Sequence, residues 1–261
     1  MTNKYLNVSI KTMTDYHLES FIRCPHAFYY EYILMLNSSH SDWRNVVQSV
    51  INRIVHHFYQ LPLKEQKPLN LMKLIQHYWK DVDVQLFESK ENYYMILAKT
   101  TDHLLKFLPS KKKQMPPLFL YQKLNTFIAE LETQVSVTFE VAEWSVTSFS
   151  IKKYLMEADE QLIQLYYHLI SVFSDKAFGK LPDKIEIISL LDGKRHAITP
   201  TSENLEIGIM YLKYMKILLE EPNNYYKDKS ITDCGRCPFV HKCQEIQVSA
   251  NEFNKYEDLF H

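Results

Sequence analysis

At 261 residues with 46% hydrophobic and 23% charged side chains, the chain is long enough to bury a sizeable core and has the composition of a globular protein. A formal net charge of -1 provides no global basic field, so any contact with nucleic acid must come from a local patch. Only four glycines occur, at 179, 193, 208 and 235, too far apart for a GxGxxG or P-loop phosphate cradle. Residues 1–11 contain no apolar run of signal-peptide or membrane length, which predicts a cytoplasmic protein with reduced thiols and no membrane partner.

In chain order, Thr14 is a candidate N-cap. The apolar residues from Leu18 through Phe21, Phe28 and Tyr32 to Leu36 then recur with helical period, broken or kinked at Pro25. A second helix carries Val47, Val50, Ile51, Ile54 and Phe58 on one face and Gln48, Asn52, His56 and His57 toward the other. Residues 67–108 read as two further helices, and a linker between Pro109 and Pro117 contains Lys111, Lys112 and Lys113. A short helix is expected over 118–131.

The period then changes to two. Val135, Val137, Phe139 and Val141 alternate with Ser136, Thr138 and Glu140, a half-buried strand that turns Glu140 toward solvent. Residues 146–154 form its neighbour, with Lys152 and Lys153 at the solvent end. A helix over 157–173 follows, then a strand pair turning at Asp192-Gly193 and a last helix from Pro200 to Glu220, capped by Thr201 or Ser202.

The four cysteines form the most specific pattern. Three lie in Cys234-Gly235-Arg236-Cys237-Pro238-Phe239-Val240-His241-Lys242-Cys243, and the fourth, Cys24, precedes a proline as Cys237 does. Four thiolates suit a tetrahedral zinc or an iron–sulfur cluster, and spacing alone does not separate the two.

With Cys24-Pro25 followed by Phe28-Tyr29-Tyr30-Glu31-Tyr32, the sheet-to-helix passage 135–169, and Cys234-x2-Cys237-Pro238-x4-Cys243, the chain resembles the iron–sulfur-containing RecB-like branch of the PD-(D/E)XK nuclease superfamily. That branch includes AddB-type nuclease domains and the nucleases of CRISPR adaptation. The resemblance implies an α/β (α+β) restriction-endonuclease-like core: a small mixed sheet flanked by helices, with a helical N-terminal region. It also implies that Cys24, Cys234, Cys237 and Cys243 hold a [4Fe-4S] cluster joining the two ends. On this reading residues 1–261 form one domain, with a helical insertion at 42–117, the sheet-and-helix core at 118–220 and the cluster-binding loop at 221–243.

The catalytic pattern of the family is incomplete in this chain. Members place a histidine on the second helix, where Asn52 stands here, with Gln48 at a position that favours glycine. They place an Asp on one strand and a Glu or Asp two residues before a Lys on the next, so that two carboxylates hold Mg²⁺ or Mn²⁺. Here the strand motif aligns as Ser150-Ile151-Lys152, or, shifted by one, with Ile151 in the acid slot before Lys153. Glu140 is the candidate remaining acid, with Glu143 close behind, and Gln161 and Tyr166 stand five apart where the family pair stands four apart.

The reading that follows is a cluster-bearing nuclease fold with a decayed active site. It would bind DNA through Lys152, Lys153 and Lys111 to Lys113 in a repair or recombination setting, with a helicase or repair protein as partner. One alternative is an active Mg²⁺- or Mn²⁺-dependent exonuclease with relocated acids, Glu140 and Lys152 being its candidate catalytic residues. Another is a scaffold module that has left nucleic acid, which the near-neutral charge favours.

Overall fold

The structure, a computed structural model, describes residues 10–36, 42–109, 115–221 and residues 234, 237, 239, 240 and 243. Its elements are β1 (Thr12–Thr14), α1 (Asp15–Arg23), α2 (Pro25–Phe28), α3 (Trp43–Gln60), α4 (Pro68–Tyr78), α5 (Lys90–Phe107), β2 (Phe119–Ile128), β3 (Thr133–Trp144), β4 (Phe149–Leu155), α6 (Glu160–Phe178), β5 (Lys184–Ser189), β6 (Arg195–Ile198) and α7 (Glu203–Glu220). The fold is mixed α/β: a six-stranded mixed sheet with helices on both faces. One face packs against α1, α6 and α7 through Leu18, Phe21, Leu165, Phe173 and Leu212, and the other against α3, α4 and α5 through Ile51, Phe58, Leu71 and Leu104. No helix among the described residues is long and apolar enough to cross a membrane.

β3 is the spine. It runs antiparallel to β2 along one edge, from Phe119↔Ala142 to Ile128↔Thr133. Its other edge is shared: β1 pairs with it in parallel over Gln134 to Ser136, and β4 pairs antiparallel over Val141 to Trp144. β4 continues into a parallel pairing with β5, which forms a hairpin with β6. Between the end of β1 and the start of the β4 pairing, the edge of β3 around Thr138 and Glu140 has no strand beside it. That gap is where the side chains of the candidate site gather.

Caps and breaks follow local chemistry. The Thr14 hydroxyl accepts from His17 N at 3.0 Å and starts α1. Cys24 is extended (φ -163°, ψ 107°), ends α1 and caps α2, whose first residue is Pro25. Thus the break expected at Pro25 is present, and it sets Cys24 at the bend. Asp159 starts α6 by accepting from Leu162 N at 2.8 Å, and Gly179 closes it at φ 63°. The second core strand starts at Phe149, not 146, because Asp183 accepts from the hydroxyls of Ser145 and Thr147 and holds residues 145–148 as a turn.

One expected element is corrected. Residues 118–131 were expected as a short helix, but they form strand β2 and a single 3-10 turn. Leu118, Tyr121, Leu124 and Ile128 have helical spacing, yet the free edge of β3 offers a full ladder of backbone hydrogen bonds, and that non-local pairing overrides the local pattern.

The β5–β6 turn packs against α5. His103 Nδ1 donates to Leu190 O at 2.7 Å, and a β-carbon built on Gly193 would lie 2.2 Å from His103 Nε2. Gly193 also holds φ 70°, which disfavours a side chain whatever the space. Gly193→Ala should therefore cost about 1–3 kcal/mol of unfolding free energy, measured by urea denaturation with the slope unchanged. A cost under a few tenths would show that this contact does not hold.

Candidate functional site

The gap in β3 forms the floor of a cleft of about 1130 Å³, walled by α1, α2, α3, β3, β4, the start of α6 and the cysteine-bearing segment. Side chains replace the missing strand in the hydrogen bonding. Asp15, fully buried in the first turn of α1, accepts from Thr138 N at 3.0 Å. Beyond Lys152, β4 leaves β3, and its backbone groups are satisfied from the sides. Glu140 Oε2 accepts from Tyr154 N at 2.7 Å, Gln48 Nε2 donates to Tyr154 O at 2.8 Å, and Gln48 Oε1 accepts from Met156 N at 2.6 Å. A buried backbone amide without such a partner would be costly, so Glu140 and Gln48 are parts of the fold as well as of the cleft.

The alternation that turned Glu140 to solvent does not hold. Glu140 is 5% exposed and Lys153 6%, and Lys153 Nζ donates to Glu140 Oε1 at 2.8 Å. Phe139 packs in the α6-side core while Val141 packs in the α3-side core, so the inward alternation of β3 slips across Glu140. Opposite the slip Tyr121 adopts a left-handed φ of 49°, between the ladder pairs Leu120↔Val141 and Gln122↔Phe139. Its hydroxyl reaches Asn52 Oδ1 at 3.5 Å, and Asn52 Oδ1 also accepts from Gln48 Nε2 at 2.9 Å.

The electrostatics centre on Lys153. Burial works against its ammonium, but the charges of Glu140, Asp15 and Glu19 outweigh that penalty and raise its pKa above the ordinary lysine value. Its Nζ also lies 4.3 Å from the centre of the Tyr166 ring, a cation–π contact. Burial raises the Glu140 pKa, and the Lys153 ammonium and the Tyr154 N–H pull it only part of the way back. The Tyr166 hydroxyl donates to Glu19, and burial followed by the charges of Glu19 and Asp15 raises its pKa well above the usual phenol.

Of the residues singled out from sequence, Glu140, Lys153, Tyr166, Gln161, Gln48 and Asn52 line this cleft. Lys152 does not. It lies on the opposite face of β4 and pairs with Glu143 at 2.5 Å, both side chains being largely covered. Neither lysine ends its strand at the solvent, in contrast to the expectation from sequence. Ile151, 1% exposed, lies on the same face of β4 as Lys153, two residues earlier. Asp15 and Glu19 were missed by the sequence reading. Their places in the site depend on Thr138 N and on the Tyr166 hydroxyl, partners more than a hundred residues away that no local motif announces. Lys111, Lys112 and Lys113 lie outside the described residues.

At the other end of the cleft, Cys24, Cys234, Cys237 and Cys243 all reach its wall, and none of the four is in a disulfide. Burial raises the Cys237 pKa, and proximity to Cys24, Cys243 and Cys234 raises it further, so the four sulfurs share one electrostatic neighbourhood. Ala27 N donates to Cys24 Sγ at 3.4 Å, and His26 Nδ1 lies 3.0 Å from Cys243 Sγ. Tyr30 and Phe239, both buried, cover this end with ring centres 5.4 Å apart. As a donor set, four soft sulfurs without a carboxylate among them suit iron–sulfur or zinc chemistry. Among the described residues, no group of three or more His, Cys, Asp or Glu side chains stands in an arrangement that could already hold a metal ion.

No protein-family model matches the sequence, and no curated protein matches it. Among solved structures, the fold is similar to that of a "Putative exonuclease" from Eubacterium rectale at 10% identity, over 87% of this chain and 87% of that one, with a TM-score of 0.49.

Proposed function

We propose that this chain is a catalytically decayed nuclease-like domain that binds DNA without cutting it. Its two ends would be joined by a [4Fe-4S] cluster on Cys24, Cys234, Cys237 and Cys243. The observation that carries the loss of catalysis is the closure of Glu140: one carboxylate oxygen is taken by the Lys153 ammonium and the other by the Tyr154 N–H. With Ile151 at the position proposed for the second acid, β3 and β4 together offer a divalent cation one engaged carboxylate at the gap, where the chemistry calls for two. For an active enzyme with relocated acids, Glu19 is the nearest substitute. Its two oxygens are already used by Arg23 and the Tyr166 hydroxyl.

The DNA partner and the repair setting come from the family resemblance. Exposed Tyr16 at the cleft wall adds a stacking surface for an unpaired base. A second reading, a scaffold that binds another protein, is favoured by the charges of the cleft. Among the described lining residues carboxylates outnumber cations, and the cations Arg23, Arg44 and Lys153 are each ion-paired to a carboxylate of the same cleft. Phosphate contacts would then have to come from outside it, for which Lys111 to Lys113 are the proposed source.

Fluorescence anisotropy with labelled single- and double-stranded DNA, without divalent metal and over a salt series, separates the two. Binding that weakens steeply with salt, and weakens further when Lys111, Lys112 and Lys113 are changed together to glutamine, is the expected result. No binding at low salt would remove DNA as the partner and leave the scaffold reading.

A further inference from the structure

We propose that His26 is a hydrogen-bond donor to the Cys243 sulfur and thereby raises the reduction potential of the centre the four cysteines hold. The inference rests on the iron–sulfur reading above. Cys24-Pro25-His26 opens α2, so the residue that contributes one sulfur is followed two positions later by an imidazole aimed at another. Nδ1 lies 3.0 Å from Cys243 Sγ, across more than two hundred residues of sequence. A thiolate ligand has no proton to give, so toward it the ring nitrogen must be the N–H donor. The imidazole is held in place from its other side: the ring of Tyr30 lies 5.0 Å from it, and Tyr30 is itself buried against Phe239.

An N–H aimed at a coordinating sulfur withdraws negative charge from it. The reduced, more negative form of a cluster gains more from that than the oxidised form does, so the potential rises. Ala27 N–H does the same for Cys24 through the backbone, a contact that no side-chain substitution at 26 removes. His26 is thus a positioning and tuning residue, and its contribution can be separated from the holding of the cluster.

The test uses the full chain purified without oxygen, as wild type, His26→Phe and His26→Asn. Phenylalanine keeps a ring against Tyr30 without an N–H, and asparagine places an amide N–H close to the position of Nδ1. Iron and sulfide content, visible absorption and the reduction potential are measured on each. The expected result is equal iron in all three, a potential in His26→Phe more negative than wild type, and a potential in His26→Asn returned most of the way. Equal iron with an unchanged potential in His26→Phe would overturn the inference. So would loss of iron in His26→Phe that His26→Asn does not restore, because His26 would then be needed to hold the centre. A wild-type protein without iron fails at the earlier step and removes the iron–sulfur reading together with the inference, a failure visible before any variant is made.

Discussion

Lys153→Met should destabilise the folded chain by about 3–5 kcal/mol, and adding Glu140→Leu should recover part of that loss. The single substitution leaves the Glu140 carboxylate buried without its cation, next to the acids Asp15 and Glu19 whose charges Lys153 also balances. The Tyr154 N–H would still point at that carboxylate but cannot neutralise it. In the double variant neither member of the pair is left alone in the interior; the remaining costs are one unpartnered backbone N–H, about 1–3 kcal/mol, and the loss of the cation that Asp15 and Glu19 also face. Denaturant unfolding of wild type, the two single variants and the double variant forms a closed cycle with a coupling of several kcal/mol. A coupling near zero would mean that the pair is open to water and that Lys153 does not neutralise Glu140 in the interior.

Loss of the centre proposed for the four cysteines should have an effect of similar size. Joining Cys24 to the Cys234 segment closes nearly the whole chain into one loop. If the estimate for cross-links carries over, such a closure restricts the unfolded state by on the order of 5 kcal/mol. Chelation of the metal under reducing conditions, or Cys24→Ser, should therefore lower the thermal midpoint markedly. Cys24→Ser should also lose any metal held there, since the only cysteine from the N-terminal part of the chain would be gone. The β3–β4 core is packed on both faces by its own apolar side chains and should keep its secondary structure near room temperature, seen as retained far-ultraviolet circular dichroism. A midpoint unmoved by chelation would show that the thiols hold nothing that the fold uses.

How much of this could be read from sequence depends on the distance over which each feature is specified. The cysteine pattern is legible because three of its members fall in ten residues and the fourth is marked by a Cys-Pro step. The α3 face, the helix α6 and the Asp192-Gly193 turn are legible for the same reason: their periods and turn residues are local. β2 was not, because Leu118, Tyr121, Leu124 and Ile128 satisfy a helical spacing and only the free edge of β3 decides otherwise. The burial of Glu140 was hidden by a strand that alternates cleanly up to Phe139 and then slips. Which of Lys152 and Lys153 faces the cleft was open in sequence, because it depends on which face of β4 meets the gap between β1 and β4. Asp15 and Glu19 entered the site only through space, since their neighbours in sequence read as an ordinary helix start.

The most direct measurement incubates the anaerobically purified wild-type protein with labelled single- and double-stranded DNA in Mg²⁺ and in Mn²⁺, and follows fragment length over hours. Intact DNA under both metals, with the protein still folded at the end, is the expected result for a site in which Glu140 is engaged and Ile151 replaces the second acid. Cleavage that requires the metal and disappears in Glu140→Gln would contradict it, and would mean that Glu140 releases Lys153 to hold a catalytic cation.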